Sequence, residues 1–185
     1  GAMSDWTEGY VSDIQYVPGF FAELAPTRLV YAALAAGRRA PSPEAGSRYL
    51  ELGCGQGFGT ALLAAANPEM SFTGVDFNPA QIANARRMAS RAALTNIEFR
   101  DYSFSETLER GLDGQTYDFA VLHGIYSWIS RENRKAIVDI LGRFLTAGGL
   151  AYVSYNCLPG WAHSIPLQRL LREHAGRAIA RSDKS

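Results

Sequence analysis

From Ser47 onward the chain alternates short apolar, β-branched runs with longer stretches in which apolar residues recur every three or four positions. The first pattern suits strands covered on both faces and the second suits amphipathic helices, so their alternation predicts βα repeats around a mainly parallel sheet. Five strands are predicted, over 48–52, 71–75, 97–100, 117–122 and 149–155. Helices are predicted between them over 58–66, 79–93, 104–111 and 131–145, the second opened by Asn78 as N-cap with Pro79 at its first position. Upstream, 26–39 reads as an amphipathic helix, and Pro41-Ser-Pro-Glu-Ala-Gly46 is the linker into the first strand. Downstream, Ile165, Leu167, Leu170, Leu171, Ala178 and Ile179 are spaced as in a helix. The expected fold is α/β, a Rossmann-like three-layer sandwich. Residues 1–3 read as a tag remnant, 4–46 as an N-terminal lid and helix, and 47–185 as the ligand-binding domain.

Composition narrows the partners. At 185 residues the chain is the size of one ordinary α/β domain, with little room for a second core. Eighteen basic residues balance eighteen acidic ones, so no net field concentrates the chain on phosphate backbones, and nucleic acid is not the expected partner. No apolar run approaches the roughly 20 residues of a membrane-spanning helix, and no secretory signal is visible, so no membrane partner is expected. Cys54 and Cys157 lie far apart, and neither has a His or Cys at ligand spacing, so no metal and a reducing, cytoplasmic setting are expected.

The candidate chemistry falls where predicted strands end. Glu51-Leu-Gly-Cys-Gly-Gln-Gly-Phe-Gly59 follows the first strand and opens a helix, the context in which a glycine pattern becomes a binding loop. Gly53, Gly55 and Gly57 let the main chain approach a ligand, and the helix start offers unpaired N–H groups; a tight turn alone is the plainer alternative. The spacing is G-x-G-x-G, not the G-x-G-x-x-G of dinucleotide sites, which disfavours a nicotinamide cofactor. Cys54 suits a small buried filler better than a nucleophile, since no His or Lys adjoins it. Asp76 closes the second strand, where a carboxylate accepts from both hydroxyls of a ribose, or else caps the helix near Pro79. Asp101 closes the third strand and is placed to accept an adenine amine with Tyr102 or Phe104 as apolar wall, unless it is an ordinary surface aspartate.

These three strand ends, Glu51-Leu-Gly-Cys-Gly-Gln-Gly, Val75-Asp76 and Arg100-Asp101, resemble the successive motifs with which class I methyltransferases bind S-adenosyl-L-methionine (SAM). The resemblance implies Glu51, Gly53, Gly55, Gly57, Asp76 and Asp101 as cofactor contacts, with Cys54, Phe77 and Tyr102 in the same stretches, and S-adenosyl-L-homocysteine as product. Asp118-Phe-Ala-Val-Leu-His-Gly-Ile-Tyr-Ser-Trp-Ile129 and Gly148-Gly-Leu-Ala-Tyr-Val-Ser-Tyr-Asn-Cys-Leu-Pro-Gly-Trp161 narrow it further. They resemble a bacterial group in which a methyltransferase domain precedes a methyltransferase regulatory domain, a group that includes rickettsial enzymes methylating surface-protein lysines. A full class I domain adds a sixth strand and an antiparallel seventh, for which no sequence remains here, so a missing C-terminal part is expected.

Methyl transfer from a sulfonium is an in-line displacement whose nucleophile must lie about 3 Å from the carbon, so positioning is the main task. His123, Tyr126 and Trp128 follow the fourth strand, on the open side of the sheet. His123 is either a general base or a backbone contact whose carbonyl meets the cofactor ammonium. Tyr126 and Trp128 are either walls of the acceptor pocket or core. By resemblance, Asn156 and Trp161 belong to a substrate-side loop, and Tyr16, in the aromatic segment Tyr10–Phe21, is the lid contact to the cofactor. The expected activity is methyl transfer to an oxygen or nitrogen of a protein lysine, a saccharide or a small metabolite; a non-catalytic SAM-binding module that senses or scaffolds is the alternative.

Overall fold

In a computed structural model that describes residues 19–157, the alternating pattern folds into a sheet flanked by helices. Two compact units divide the chain, Gly1–Ser154 and Tyr155–Ser185; in the second, 155–157 are described and have no regular structure.

In the first unit a 3-10 turn, Ala22–Leu24, leads into α1 (Pro26–Ala35). Then follow β1 (Arg48–Leu52), α2 (Phe58–Ala66), β2 (Ser71–Val75), α3 (Pro79–Arg91), β3 (Ile97–Arg100), α4 (Phe104–Arg110), β4 (Tyr117–Leu122), α5 (Arg131–Phe144) and β5 (Leu145–Val153). The sheet order is β3-β2-β1-β4-β5, and every pairing is parallel. Apolar residues cover both faces. Tyr49, Phe72, Phe119 and Val121 pack with Leu63 and Ala64 of α2 and Leu29 of α1; Leu50, Leu52, Val75 and Leu122 pack with Ile137, Ile140 and Phe144 of α5. A strand covered on both sides has little polar alternation to show, which is why these segments read as nearly continuous apolar runs.

The helix starts are written locally. The Asn78 side chain accepts from the Ala80 and Gln81 N–H groups, Ser103 and Glu106 form a reciprocal capping box, and Ser130 caps α5 by accepting from Asn133 N–H. Helix α2 ends at Ala66 as predicted, but the other predicted helix ends run too long. Helix α1 stops at Ala35 instead of 39 because Gly37 takes a φ of 68°, with its N–H donating to Leu34 and that of Arg38 to Ala33, a Schellman close. Helix α3 ends at Arg91 in the same way, with Ala93 at a φ of 53°. Helices α4 and α5 each stop one residue short of the predicted end, at Arg110 and Phe144.

Strand β5 departs most. It begins at Leu145, bulges between the Tyr117↔Leu145 and Phe119↔Leu150 rungs, and ends at Val153 rather than at 155. The predicted start at Gly149 falls one residue before the Phe119↔Leu150 rung that resumes regular pairing; the bulge has no signature in the sequence.

The register sets the functional edge. Leu52 faces Val75 on one side and Leu122 on the other, and Val75 faces Arg100, so β1, β2, β3 and β4 end level. Between β1 and β4 the connections part to opposite faces, α2 on one and α5 on the other, which opens a crevice beyond the carboxyl ends. None of the described helices is long and apolar enough to cross a membrane.

Candidate active site at the carboxyl edge

The glycine loop is held close against β2. The N–H groups of Gly53 and Cys54 both donate to the Val75 carbonyl, at 2.7 and 3.1 Å, and Gly57 N–H donates to the Cys54 carbonyl at 2.9 Å. Gly53 and Gly57 have φ of 73° and 69°, the left-handed region that costs a side-chain-bearing residue about 1–2 kcal/mol. Space is short as well. A Cβ on Gly57 would stand 2.5 Å from the buried Phe99 ring and 2.8 Å from Ala85 Cβ, and one on Gly53 would fall on Ile125 Cδ1. The loop after β1 is thus pressed between β3 and the loop after β4. Cys54 is a filler: its thiol packs against Ile82, Ala85, Ala89 and Phe99, and burial, reinforced by Glu51 and Asp76, pushes its pKa well up, away from nucleophilic thiolate.

Two buried carboxylates stand behind this loop. Asp76 Oδ2 accepts from Gly55 N–H and Oδ1 from Asn78 N–H, both at 2.9 Å. Helix capping therefore falls to Asn78, while Asp76 ties the glycine loop to the end of β2. Each oxygen keeps a second lone pair for a ligand hydroxyl. Burial raises the Asp76 pKa, and the two N–H bonds pull it back. Phe77, the next residue, is half-buried. Glu51, at the end of β1, accepts from the buried Thr60 hydroxyl of α2 at 2.6 Å. Burial raises its pKa from 4.5 to about 7, opposed by the Thr60 bond and helped by Asp76.

Glu51 should leave a mark on stability. The folded protein holds its proton up to about pH 7 whereas the unfolded chain releases it near 4.5, so the contribution is complete below 4.5 and is lost as pH rises through 7. The span corresponds to roughly 3 kcal/mol. Urea denaturation at pH 5 and pH 8 should show Glu51→Gln gaining on the parent by that order at the higher pH; a parent and variant that keep the same gap at both values would contradict this.

At the end of β3, Asp101 is exposed and pairs with Arg86 at 3.1 Å. Tyr102 is half-buried against the core, with the Arg110 guanidinium 5.1 Å from its ring centre. Phe104 is not available as an adenine wall. It is the first residue of α4 and is 3% exposed, within the core beside Leu112 and Tyr117.

Beyond β4, His123 is clamped between elements far apart in sequence. Its ring centre is 4.1 Å from that of Phe21 and 6.2 Å from that of Tyr152 on β5, onto which it stacks. Its Nδ1 is buried without a hydrogen-bond partner. Burial lowers its pKa against the opposing pull of Glu23, so the imidazole is neutral at pH 7. The following loop is pinned by Gly124 N–H donating to Ser154 Oγ at 2.7 Å and by a turn from Trp128 N–H to the Ile125 carbonyl at 2.9 Å. Tyr126 and Trp128 are both half-buried in it, and the Arg134 guanidinium lies 5.4 Å from the Tyr126 ring centre. Asn156 is exposed and belongs to the second unit. Tyr16 and Trp161 lie outside the described residues.

Thus one edge brings together Glu51, the glycine loop, Asp76, Asp101 and His123. Sequence reasoning missed Thr60, Phe99, Ile125 and Tyr152, which support them. Only Thr60 had a local signal, a hydroxyl in the first turn of the helix that the loop opens.

Residues 43–178 match a protein family described as a methyltransferase domain. The chain belongs to that family. This methyltransferase domain is 44% identical over 166 residues to an uncharacterised protein of Synechocystis sp., an alignment covering 90% of the chain and 32% of that protein. An uncharacterised protein of Rickettsia prowazekii is 34% identical over 151 residues, covering 80% of the chain and 26% of the relative. Among solved structures, PKMT2 from Rickettsia typhi in complex with AdoHcy has 30% identity and a TM-score of 0.77, covering 88% of the chain and 31% of its own. The methyltransferase domain therefore spans between 26 and 32% of the length of these relatives. Its architecture is the class I, Rossmann-like one, and SAM is the methyl donor of the class; AdoHcy is what SAM becomes on losing its methyl.

Proposed function

We propose that this methyltransferase domain carries a methyl from SAM to an oxygen or nitrogen acceptor by in-line displacement, at the edge where the loops after β1 and β4 part. The observation that carries the proposal is the convergence there of a left-handed glycine loop, two buried carboxylates and an unpartnered, neutral imidazole. When bound, SAM supplies an electrophilic methyl on a positively charged sulfur. The glycine loop and Glu51 would lie along the methionine part, while Asp76 would hold the ribose hydroxyls and Asp101 the adenine amine. His123 would accept the proton of the acceptor, with Tyr126 and Trp128 walling the acceptor and Tyr16 contacting the cofactor. Likeness to PKMT2 supports a protein lysine amine over a saccharide or small metabolite, with acceptor choice shared with sequence beyond this domain. The free cysteines Cys54 and Cys157 suit a reducing cytoplasm.

Calorimetric titration of the full chain with SAM and with NAD tests the donor; binding of NAD without SAM would overturn the proposal. Radiolabelled methyl transfer into a fractionated lysate tests catalysis, and absence of transfer to any fraction would favour a sensing module. His123→Gln is expected to lower turnover about a hundredfold with SAM affinity kept. Undiminished turnover would reduce His123 to a backbone contact.

A further inference from the structure

The arginine of α3 that meets Asp101 makes an arrangement unlike an ordinary surface ion pair. Both Arg86 and Asp101 are about half exposed, with side-chain exposures of 51% and 43%, and a pair this open contributes little to stability by itself. Yet the guanidinium is not loose. Its Nε and Nη2 both donate to the Phe99 carbonyl, at 3.1 and 2.8 Å, and Nη2 also reaches Asp101 Oδ1 at 3.1 Å. β3 is an edge strand, and Arg86 satisfies this carbonyl from α3. The planar fork fixes its own position on the backbone and then uses the same nitrogen to orient the carboxylate.

The anchor point matters. Phe99 is the residue whose ring closes on Gly57 and Gly74, so the carbonyl that Arg86 grips belongs to the residue that also walls the glycine loop. Asp101 is thereby held at a set place relative to the loop, although it is itself an exposed residue just beyond the strand. With Oδ1 directed at Arg86, Oδ2 is left to present lone pairs to a ligand donor. A carboxylate so presented rewards an amine and repels a carbonyl oxygen at the same place.

We propose that Arg86 is a positioning residue that sets base specificity for the cofactor, by locking the Asp101 carboxylate toward the exocyclic amine of adenine. This rests on the assignment of Asp101 to adenine made above. A merely structural arginine would lower all affinities together, whereas a positioning one changes their ratio.

The test compares S-adenosyl-homocysteine with S-inosyl-homocysteine, in which a carbonyl oxygen replaces the amine, by calorimetry on the full chain. The parent is expected to prefer the amine by about tenfold or more, since a polar group built to receive a donor rejects the ligand that lacks it. Asp101→Ala should bring the two affinities within about threefold, and Arg86→Gln should do the same while leaving the inosyl compound bound nearly as before. Arg86→Lys, which keeps the charge but lacks the fork, should fall between. A general loss of folded protein would lower both affinities and leave the ratio intact. If the parent shows no preference, or Asp101→Ala keeps it, the adenine assignment fails. If the parent discriminates, Asp101→Ala does not, and both Arg86 variants retain the full ratio, the role of Arg86 alone is overturned.

Discussion

Asp76→Ala will weaken SAM binding by a hundredfold or more, the largest loss of affinity expected from any single side chain of the site. The carboxylate is 8% exposed, with one lone pair of each oxygen already committed, to Gly55 N–H and to Asn78 N–H. Two charge-assisted bonds to ribose hydroxyls, at about 1.5–3 kcal/mol each, account for the hundredfold figure before any loop movement is counted. Alanine also leaves the two backbone N–H groups without acceptors, at about 1–3 kcal/mol for each that water does not reach, so the variant is expected to melt earlier. Asp76→Asn separates the two effects. The amide keeps one acceptor of the same shape but turns a donor toward the second N–H, so SAM affinity should fall far while stability falls less. Calorimetric titration with thermal unfolding of both variants checks this. SAM affinity within threefold of the parent in Asp76→Ala would remove the ribose role, leaving Asp76 as the tie between loop and strand.

Gly57→Ala is expected to destabilise the fold by about 2–5 kcal/mol, the sum of a left-handed φ on a residue with a Cβ and overpacking against a buried ring. That is a large part of the 5–15 kcal/mol typical of a domain. The neighbours have nowhere to go: Phe99 is 4% exposed and its ring touches the added carbon at two positions, while Ala85 is fully buried on α3. Gly59 is the internal comparison. It lies inside α2 with no positive φ, and its added Cβ would meet nothing nearer than the Gly19 carbonyl at 3.8 Å. Gly59→Ala should therefore be neutral or stabilise by about 0.5–1 kcal/mol, the usual helix gain over glycine. Urea denaturation of the two variants against the parent decides the matter. Equal effects from both substitutions would show that the loop is softer than its contacts imply.

The two substitutions also mark how far the sequence could be read. Strand positions were legible because burial on both faces demands apolar runs, and the first four strands fall at the predicted boundaries. Helix starts were legible because Asn78 and Pro79 act within one turn. Apart from that of α2, helix ends were not, since the left-handed residues that stop α1 and α3, Gly37 and Ala93, look like ordinary members of a helical pattern. Within the site, the glycine loop, Asp76 and Asp101 could be picked out because each directly follows a strand. Phe104 was misjudged as an outward wall because its burial depends on how α4 docks on the sheet.

By itself, then, the sequence determined the order of elements, the parallel sheet and the chain segments that end at its open edge, because each is fixed by periodicity or by contacts within a few residues. Only the tertiary structure decided which side chains meet: Phe21 on His123, Ile125 against Gly53, Phe99 against Gly57, and Arg86 between Phe99 and Asp101. The physical reason is separation. Those pairings join residues from up to about a hundred positions apart, and no local preference records a contact that exists only once the crossovers have brought the strands into register.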